Sequence, residues 1–327
     1  MELVTGTTSA LGRAATTAQV AETARAVATS VRAVMAGRDE AVDVAVACLL
    51  SGGHLLIEDL PGVGKTLLAR ALAASVGGSF HRIQGTPDLL PGDVIGSIVP
   101  TERAGAFELH FRPGPIFSNV VVFDELNRAS PRTQSALLEA AEEGAVTVDG
   151  QTRPLPDPFL LVATQNPVEL AGTYPLGEGA VDRFAAAISP GRAGRADEVD
   201  VLTGRRGRTR LHEVAAVVDT TDLLAARAVV ATTLVSDPVA HYVVDLLDAT
   251  RRHPRVTIGA STRGGVAVVG LARARAAIDG RHYVVPDDVQ AVAVAGLAHR
   301  LVVAGGGLAA GREVVAECLE RVPAPAR

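Results

Sequence analysis

Lysine is almost absent from this 327-residue chain, and tryptophan is absent altogether. The chain has 3 tyrosines, 7 phenylalanines and 2 cysteines, and no uncharged apolar run reaches the roughly 18 residues that a membrane span needs. So few aromatic rings provide few stacking surfaces for single-stranded nucleic acid, and the formal charge of −5 also disfavours such a partner. We therefore expect neither a membrane span nor nucleic-acid binding.

The scarce cysteines and the N-terminal composition bear on the cellular compartment. Cys48 and Cys318 stand far apart and lack the spacing of a metal site, which favours two free thiols in a reducing compartment. The first residues carry neither the basic region nor the apolar segment of a secretion signal. These observations predict a cytoplasmic protein.

The only lysine among 31 basic residues is Lys65. An apolar run at 54–58 precedes its glycine-bearing loop and a helical pattern at 65–76 follows it, which is the context of a phosphate-binding loop. Such a loop uses a compact ammonium on a flexible stem rather than a planar guanidinium, which explains a lysine in a chain that otherwise uses arginine. Asp59 stands where the general loop pattern has glycine. The expected nucleotide-binding residues are Pro61, Gly62, Val63, Gly64, Lys65, Thr66 and Leu67.

Acidic side chains follow the second apolar run, at 120–123. Asp124 and the Thr66 hydroxyl are expected to hold Mg²⁺, whereas Glu125 suits a general base that orients water toward the terminal phosphate. Asn166 follows a third apolar run, where its amide can hold the same water. The alternatives are an exposed acidic strand end and a turn-forming Asn-Pro pair. Coupled to the phosphate loop, the two carboxylates favour nucleotide hydrolysis over phosphoryl transfer.

Apolar runs alternate with helical patterns in the first part of the chain, which predicts an α/β core with a parallel sheet. Two segments, 95–111 and 146–150, alternate as hairpins and are expected to be inserted into this core. Further on, helix start signals such as Asp237-Pro238 predict a second, all-α domain. The expected division is a flexible lead-in over 1–16, an α/β nucleotide-binding core over 17–208 and a helical domain over 209–327.

Several stretches of the chain resemble the AAA+ ATPases, and within them the MoxR family. They are the phosphate loop, Gly85 to Asp93, Asp124 to Pro131, Ala163 to Pro167 and Gly259 to Arg263. The resemblance implies a phosphate-loop AAA+ core with a parallel sheet and inserted hairpins, followed by a smaller all-α lid domain. It also implies that ATP and Mg²⁺ bind between the subunits of a hexameric ring. The roles that it implies are sensor 1 for Asn166, the arginine finger for Arg183 and sensor 2, in the lid, for Arg263.

An arginine finger has a physical consequence for the reaction. When a neighbouring subunit donates the arginine, it stabilises charge on the transferring phosphoryl group, so hydrolysis depends on assembly. For both Arg183 and Arg263 the alternative is an ordinary surface ion pair. The expected catalytic residues are Lys65, Glu125, Asn166, Arg183 and Arg263.

The resemblance implies a chaperone-like role, in which ATP binding and hydrolysis drive remodelling, maturation or metal loading of a partner protein. That partner often carries a von Willebrand factor A domain. One alternative is a motor of the magnesium-chelatase or DNA-translocase kind, which shares the inserted hairpins. The basic run at 205–210 would serve such a motor, but an acidic chain with few aromatics favours a solvated linker there. Another alternative is a nucleotide-gated scaffold without turnover, against which Glu125 and Arg183 argue.

Overall fold

The computed structural model describes residues 16–35, 37–59, 62–103, 106–166, 172–304 and 306–326. The described helices are α1 (Thr17–Arg32), α2 (Asp39–Ser51), α3 (Lys65–Ser75), α4 (Pro91–Ile95), α5 (Pro131–Glu143), α6 (Glu178–Val181), α7 (Arg195–Leu202), α8 (Thr220–Thr232), α9 (Asp237–Arg251), α10 (Thr262–Ile278), α11 (Pro286–Leu297) and α12 (Leu308–Arg321). The described strands are β1 (Leu55–Glu58), β2 (Phe80–Gln84), β3 (Gly96–Arg103), β4 (Ala106–Pro113), β5 (Val120–Asp124), β6 (Ala145–Val148), β7 (Gln151–Pro154), β8 (Leu160–Gln165), β9 (Ala186–Ile188), β10 (Val256–Ile258) and β11 (Val302–Val303). Residues 1–15 of the predicted lead-in and Pro61 of the phosphate loop lie outside the described residues.

Five strands form one parallel sheet in the order β2-β5-β8-β1-β9. The inner strands β5 and β8 are buried along nearly their whole length, as strands are when both faces of a sheet are covered. The continuous apolar runs of the sequence form these strands, and the predicted parallel α/β core is confirmed. Because all five strands run in the same direction, their carboxyl ends meet at one edge of the sheet.

Helix α5 begins and ends at residues that are typical of helix ends. The Ser130 hydroxyl accepts from the backbone N–H of Thr133 (3.3 Å), and Pro131 is the first helical residue. Gly144 ends the helix with a φ of 62°, in the left-handed region. The helix starts beyond the carboxyl end of β5, and its last turn is hydrogen-bonded to His54, at the amino end of β1. Its 13 residues extend about 20 Å, so α5 connects the two opposite edges of the sheet.

Two antiparallel hairpins are inserted into the core. Strands β3 and β4 pair along their whole length and lie between β2 and β5 in the chain. Strands β6 and β7 are joined by Asp149 and Gly150, whose φ angles of 52° and 71° suit a tight turn. On the outer half of β4, Phe107 and Leu109 are 77% and 72% exposed. Both predicted hairpins are therefore present.

Helices α8 to α12 form the C-terminal part of the described chain. Helix α9 begins at the predicted Asp237-Pro238 pair, and its buried apolar residues are Val239, Tyr242, Val243, Leu246 and Leu247. The structure adds one short antiparallel pair, β10 with β11, to this otherwise helical part. Helix α1 contacts α2 and α3 of the core as well as α8 and α10 of the helical part. Among the described residues, no helix combines the length and the apolar character that crossing a membrane requires.

Candidate nucleotide-binding and hydrolysis site

Lys65 is the first residue of α3 and follows a loop with two left-handed glycines. Gly62 and Gly64 have φ angles of 84° and 92°, which glycine adopts without strain. The Lys65 ammonium donates to the carbonyl oxygens of Asp59 (2.5 Å) and Gln165 (3.1 Å), at the carboxyl ends of β1 and β8. The lysine charge thus lies beside the N-terminus of a helix, where backbone N–H groups favour phosphate.

Asp59, at the position of the usual first glycine, anchors the phosphate loop. Its carboxylate accepts from the Ser189 hydroxyl (2.8 Å) and from the backbone N–H of Gly191 (2.6 Å), both just beyond β9. Asp59 therefore links the end of β1 to the segment that follows the neighbouring strand, β9. Of the other predicted loop residues, Val63 is buried and Leu67 packs against the core.

Asp124 ends β5 and is only 4% exposed. Its carboxylate accepts from the Thr66 hydroxyl (3.1 and 3.2 Å), from the Thr164 hydroxyl (3.2 Å) and from Arg82 Nε (2.6 Å). The Arg82 charge compensates a carboxylate that would otherwise be buried at a high cost. A carboxylate beside a hydroxyl supplies the oxygen ligands that Mg²⁺ uses next to nucleotide phosphates, so Thr66 and Asp124 fit this ion.

Glu125 has a backbone conformation that is rare for a residue with a side chain. Its φ of 57° and ψ of 51° are left-handed, and its backbone N–H donates to the Thr164 hydroxyl (3.0 Å). A Cβ at Gly85 would lie 2.2 Å from the Glu125 carbonyl oxygen, so only glycine fits beside this turn. The Glu125 carboxylate accepts from Gln84 Nε2 (2.8 Å) and Arg128 Nη1 (3.0 Å). These contacts hold the carboxylate at the carboxyl edge of the sheet.

Asn166 directly follows β8 and is 6% exposed. Its backbone carbonyl lies 3.5 Å from Asn127 Nδ2, and the preceding carbonyl, of Gln165, accepts from Lys65. The next residues, 167–171, lie outside the described chain. The structure therefore brings Lys65, Thr66, Asp124, Glu125 and Asn166 to the same edge of the sheet.

Arg183 and Arg263 lie at the opposite edge. Arg183 Nε donates to Glu142 Oε2 (2.5 Å), and Arg263 Nη2 donates to Glu142 Oε1 (2.7 Å). Glu142 is in the last turn of α5, and the cavity that the two arginines line, of about 490 Å³, also contains residues at the amino ends of β1 and β8. Lys65 lies beyond the carboxyl end of β1, and Asp124 is the last residue of β5. Neither arginine is therefore near the phosphate loop of its own chain.

The helical part holds the segment that carries Arg183. Arg300, with a side chain that is 2% exposed, donates to the Asp182 carboxylate (2.8 Å) and to the Phe184 carbonyl (2.8 Å). The Ser261 hydroxyl, at the N-cap of α10, also donates to Asp182 (3.1 Å). A Cβ at Gly264 would lie 2.9 Å from Arg300 Cδ, so this glycine makes room for the arginine. Residues on both sides of Arg183 are thus fixed to the helical part of the chain.

Two segments of the chain match known protein families. Residues 54–186 match the ATPase family associated with various cellular activities (AAA), and residues 248–317 match the AAA lid domain. The chain is 40% identical over 288 residues to Chaperone MoxR1 of Mycobacterium tuberculosis, over 85% of this chain and 75% of that protein. The chain belongs to the MoxR family of AAA+ ATPases.

Further similarities extend over most of this MoxR-family chain. It is 46% identical over 268 residues to YeaC of Bacillus subtilis, which covers 82% of this chain and 83% of that protein. A crystal structure of a protein from Cytophaga hutchinsonii that is named as an ATPase has a TM-score of 0.82 at 34% identity, over 95% of this chain and 97% of that chain. The predicted AAA+ fold, with a lid domain after the core, is confirmed. This MoxR-family protein is an ATP hydrolase and binds nucleotide.

The residues that orient the site of this MoxR-family protein were missed in the sequence. They are Arg82, Gln84, Arg128, Glu142, Thr164 and Arg300. For Gln84 and Thr164 a signal existed, because both are polar and stand at the carboxyl ends of strands of a parallel sheet. Nothing in the sequence distinguishes Arg82 or Arg300 from the other arginines, since their partners are 42 and 118 residues away.

His299 makes the stability of this MoxR-family chain depend on pH. Its Nε2–H donates to the Phe184 carbonyl (2.9 Å), and burial followed by the Arg300 charge lowers the pKa of His299 to about 3. In the unfolded chain His299 becomes protonated as the pH falls below its ordinary pKa of 6.5, whereas in the folded chain it stays neutral until the pH approaches about 3. Between these pH values the unfolded state binds more protons than the folded state, so the fold loses stability as the pH falls. From this difference in pKa we expect the free energy of unfolding to fall by about 1–2 kcal/mol between pH 7 and pH 5.

Urea unfolding of the wild type and of His299→Gln at pH 7 and pH 5 measures this contribution. The variant is expected to be less stable at both pH values but to lose about 1–2 kcal/mol less between them. An equal loss in both proteins would show that His299 titrates alike in the folded and unfolded chains.

Proposed function

We propose that this MoxR-family ATPase hydrolyses ATP between neighbouring subunits of a hexameric ring. The observation that supports the proposal is the separation of the predicted catalytic residues. Lys65, Asp124 and Glu125 lie at one edge of the sheet, and Arg183 and Arg263 share a carboxylate at the other. An arginine at the far edge reaches a terminal phosphate only when a second copy presents its phosphate loop to that face. Each active site then takes residues from two chains.

The proposed reaction uses each side chain for a separate task. Lys65 binds the terminal phosphates, and Thr66 and Asp124 would hold Mg²⁺, which would neutralise part of the phosphate charge. Glu125 orients a water molecule and accepts its proton, for which Gln84 and Arg128 fix the direction of the carboxylate. Asn166 holds the same water from the end of β8. Arg183 and Arg263 of the neighbouring chain stabilise the negative charge that spreads over the transferring phosphoryl group.

The proposed client is a protein, which the ATPase remodels, matures or loads with metal. A relative named Chaperone MoxR1 supports this chaperone-like role, and a partner with a von Willebrand factor A domain is the specific client that we propose. Exposed Phe107 and Leu109 on the first hairpin offer an apolar contact. In the basic run, Arg205 pairs with Asp200 (3.1 Å) and Arg210 pairs with Glu213, so acidic partners offset charges that DNA would need.

We place the protein in the cytoplasm. Its two cysteines are free and buried, and burial raises the pKa of the Cys48 thiol to about 12, which keeps it protonated and unreactive at neutral pH. A buried thiol without a disulfide partner suits a reducing compartment, where ATP is also available to the enzyme.

The proposal predicts that specific ATPase activity rises with protein concentration. Dilution separates Arg183 from the phosphate loop that it serves, so the rate per subunit falls as assemblies dissociate. Phosphate release is measured across the concentration range in which sizing detects dissociation, with Glu125→Gln as the control for contaminating activity. A rate per subunit that stays constant where sizing finds monomers contradicts shared active sites. Strong stimulation by DNA would instead support a motor of the translocase kind.

A further inference from the structure

Glu142 binds two arginines that come from different parts of the chain. Arg183 follows α6, and Arg263 is in the first turn of α10, in the lid. Their donors reach different oxygens of one carboxylate, at 2.5 Å and 2.7 Å. Without this carboxylate the two guanidinium groups would stand close together with like charges, which would separate them. Glu142 therefore decides where both positive charges lie on this face.

The position of Glu142 is itself fixed by the core. The preceding residue, Ala141, is buried, and its carbonyl accepts from Nε2–H of His54 (3.0 Å). The other ring nitrogen of His54 accepts from the backbone N–H of Leu161 (3.3 Å), so this imidazole is neutral and joins α5 to the starts of β1 and β8. Burial lowers the pKa of His54, which keeps it neutral. The carboxylate thus projects from a rigid helix end rather than from a loop.

Arg183 is held on two sides. Its Nε donates to Glu142, and its Nη1 donates to the carbonyl oxygen of Gly179 (2.8 Å). The neighbouring carboxylate, Asp182, is engaged by Arg300 and Ser261 and lies farther from Arg263, at 3.8 Å. Glu142 is therefore the acid that sets the direction of Arg183, while Asp182 joins the segment to the lid.

We propose that Glu142 is a positioning residue for catalysis in the neighbouring subunit. It holds Arg183 and Arg263 together, in the orientation in which both meet the terminal phosphate of the ATP bound by the next chain. This role rests on the proposed function, because it requires the arginines to act in trans. It predicts that loss of the Glu142 charge impairs the active site of the neighbour and leaves the phosphate loop of the same chain intact.

Mixtures of two inactive variants can test this role, because each variant keeps only one of the two surfaces that form an active site. A donor chain, Lys65→Ala, keeps its arginines but lacks a working phosphate loop. An acceptor chain, Arg183→Ala, keeps its phosphate loop but lacks its arginine. In a mixed assembly an active site forms where the phosphate loop of an acceptor chain meets the surface of a donor chain that carries Arg183. Glu142→Gln is then added either to the donor or to the acceptor, and ATP hydrolysis by the mixture is measured against ATP concentration.

Glu142→Gln in the donor is expected to lower kcat of the mixture by about 10-fold or more, with KM for ATP unchanged, because misplaced catalytic groups slow the chemical step. The same change in the acceptor is expected to alter the rate less than about 2-fold, since that chain offers no arginine finger to an active site. Glu143→Gln in the donor is the matched control, one residue along the same helix, and is expected to have no effect on the rate. Glu142→Asp, which keeps the charge, is expected to retain part of the activity.

The outcomes separate this role from the proposed function. An inactive mixture of the two parent variants, with assembly verified by sizing, overturns catalysis in trans and this role with it. An active parent mixture whose rate falls equally with Glu142→Gln in either chain shows a structural role only, and overturns the proposal. An active parent mixture that tolerates Glu142→Gln in the donor also overturns it, while leaving the proposed function in place.

Discussion

Glu125→Gln is expected to lower kcat for ATP hydrolysis by about 10²–10⁴-fold, because the amide cannot accept the proton of the attacking water. The substitution preserves size, and the glutamine oxygen can still accept from Gln84 and Arg128, so the fold around the site remains. In the proposed site, ATP binding depends on Lys65, on the loop backbone and on the start of α3, none of which changes. Nucleotide affinity, measured with a fluorescent ATP analogue, is therefore expected to stay within a few-fold of the wild-type value.

The comparison with Lys65→Ala makes the Glu125 result specific. That variant removes the single lysine and is expected to lose nucleotide affinity as well as turnover, since we propose that the Lys65 ammonium binds the terminal phosphates. Glu125→Gln is expected to bind nucleotide without hydrolysing it, whereas Lys65→Ala is expected to do neither. This difference distinguishes the general base from the phosphate ligand. Residual hydrolysis by Glu125→Gln within about 10-fold of wild type would mean that another group activates the water.

Arg183→Ala is expected to lower kcat by about 10³-fold or more, with nucleotide affinity unchanged, because in its proposed role as an arginine finger Arg183 acts on the transition state. The arginine lies at the edge of the sheet that faces away from its own phosphate loop, so its loss leaves that loop intact. Mixing this variant with Lys65→Ala is expected to restore about a quarter of the wild-type rate per subunit when chains associate at random, since half the chains bind ATP and half of those meet an intact arginine.

A second arginine serves as the control for Arg183. Arg252 is exposed and pairs only loosely with Asp248 (3.6 Å) at the end of α9. Arg252→Ala removes the same side chain from a surface helix and is expected to leave the rate and the assembly unchanged. If Arg183→Ala hydrolyses ATP at the wild-type rate, or if its mixture with Lys65→Ala stays inactive although the chains assemble, catalysis in trans is contradicted.

The sequence predicts those parts of the molecule that depend on neighbouring residues in the chain. The apolar runs predict β5 and β8 because strands buried on both faces need no polar alternation. Ser130, Pro131 and Gly144 predict α5 because caps and first-turn prolines act within a few residues. Lys65 marks the phosphate loop because a chain that otherwise uses arginine has one lysine at this place.

Other parts of the site depend on contacts between distant segments and could not be predicted. The left-handed conformation of Glu125 requires the close approach of Gly85, from the end of another strand. The meeting of Arg183 and Arg263 on Glu142 joins residues that are 41 and 121 positions apart from that acid. Arg82 reaches Asp124 only because β2 and β5 are neighbours in the sheet. Such partners follow from topology and register rather than from local pattern.

The span of α5 constrains the symmetry of any assembly that this chain forms through its active sites. One end of the helix lies near Glu125, at the carboxyl edge of the sheet, and the other carries Glu142, at the opposite edge. The surface with the phosphate loop and the surface with Arg183 are therefore different surfaces, about 20 Å apart. A contact between unlike surfaces is heterologous, and a two-fold dimer cannot satisfy it on both chains at once. In an open assembly the chain at each end has one unpaired surface, and both are paired only when the rotation between neighbours closes a ring. If that rotation does not close, the same contact continues as a helical filament, so closure rather than contact strength limits the number of subunits.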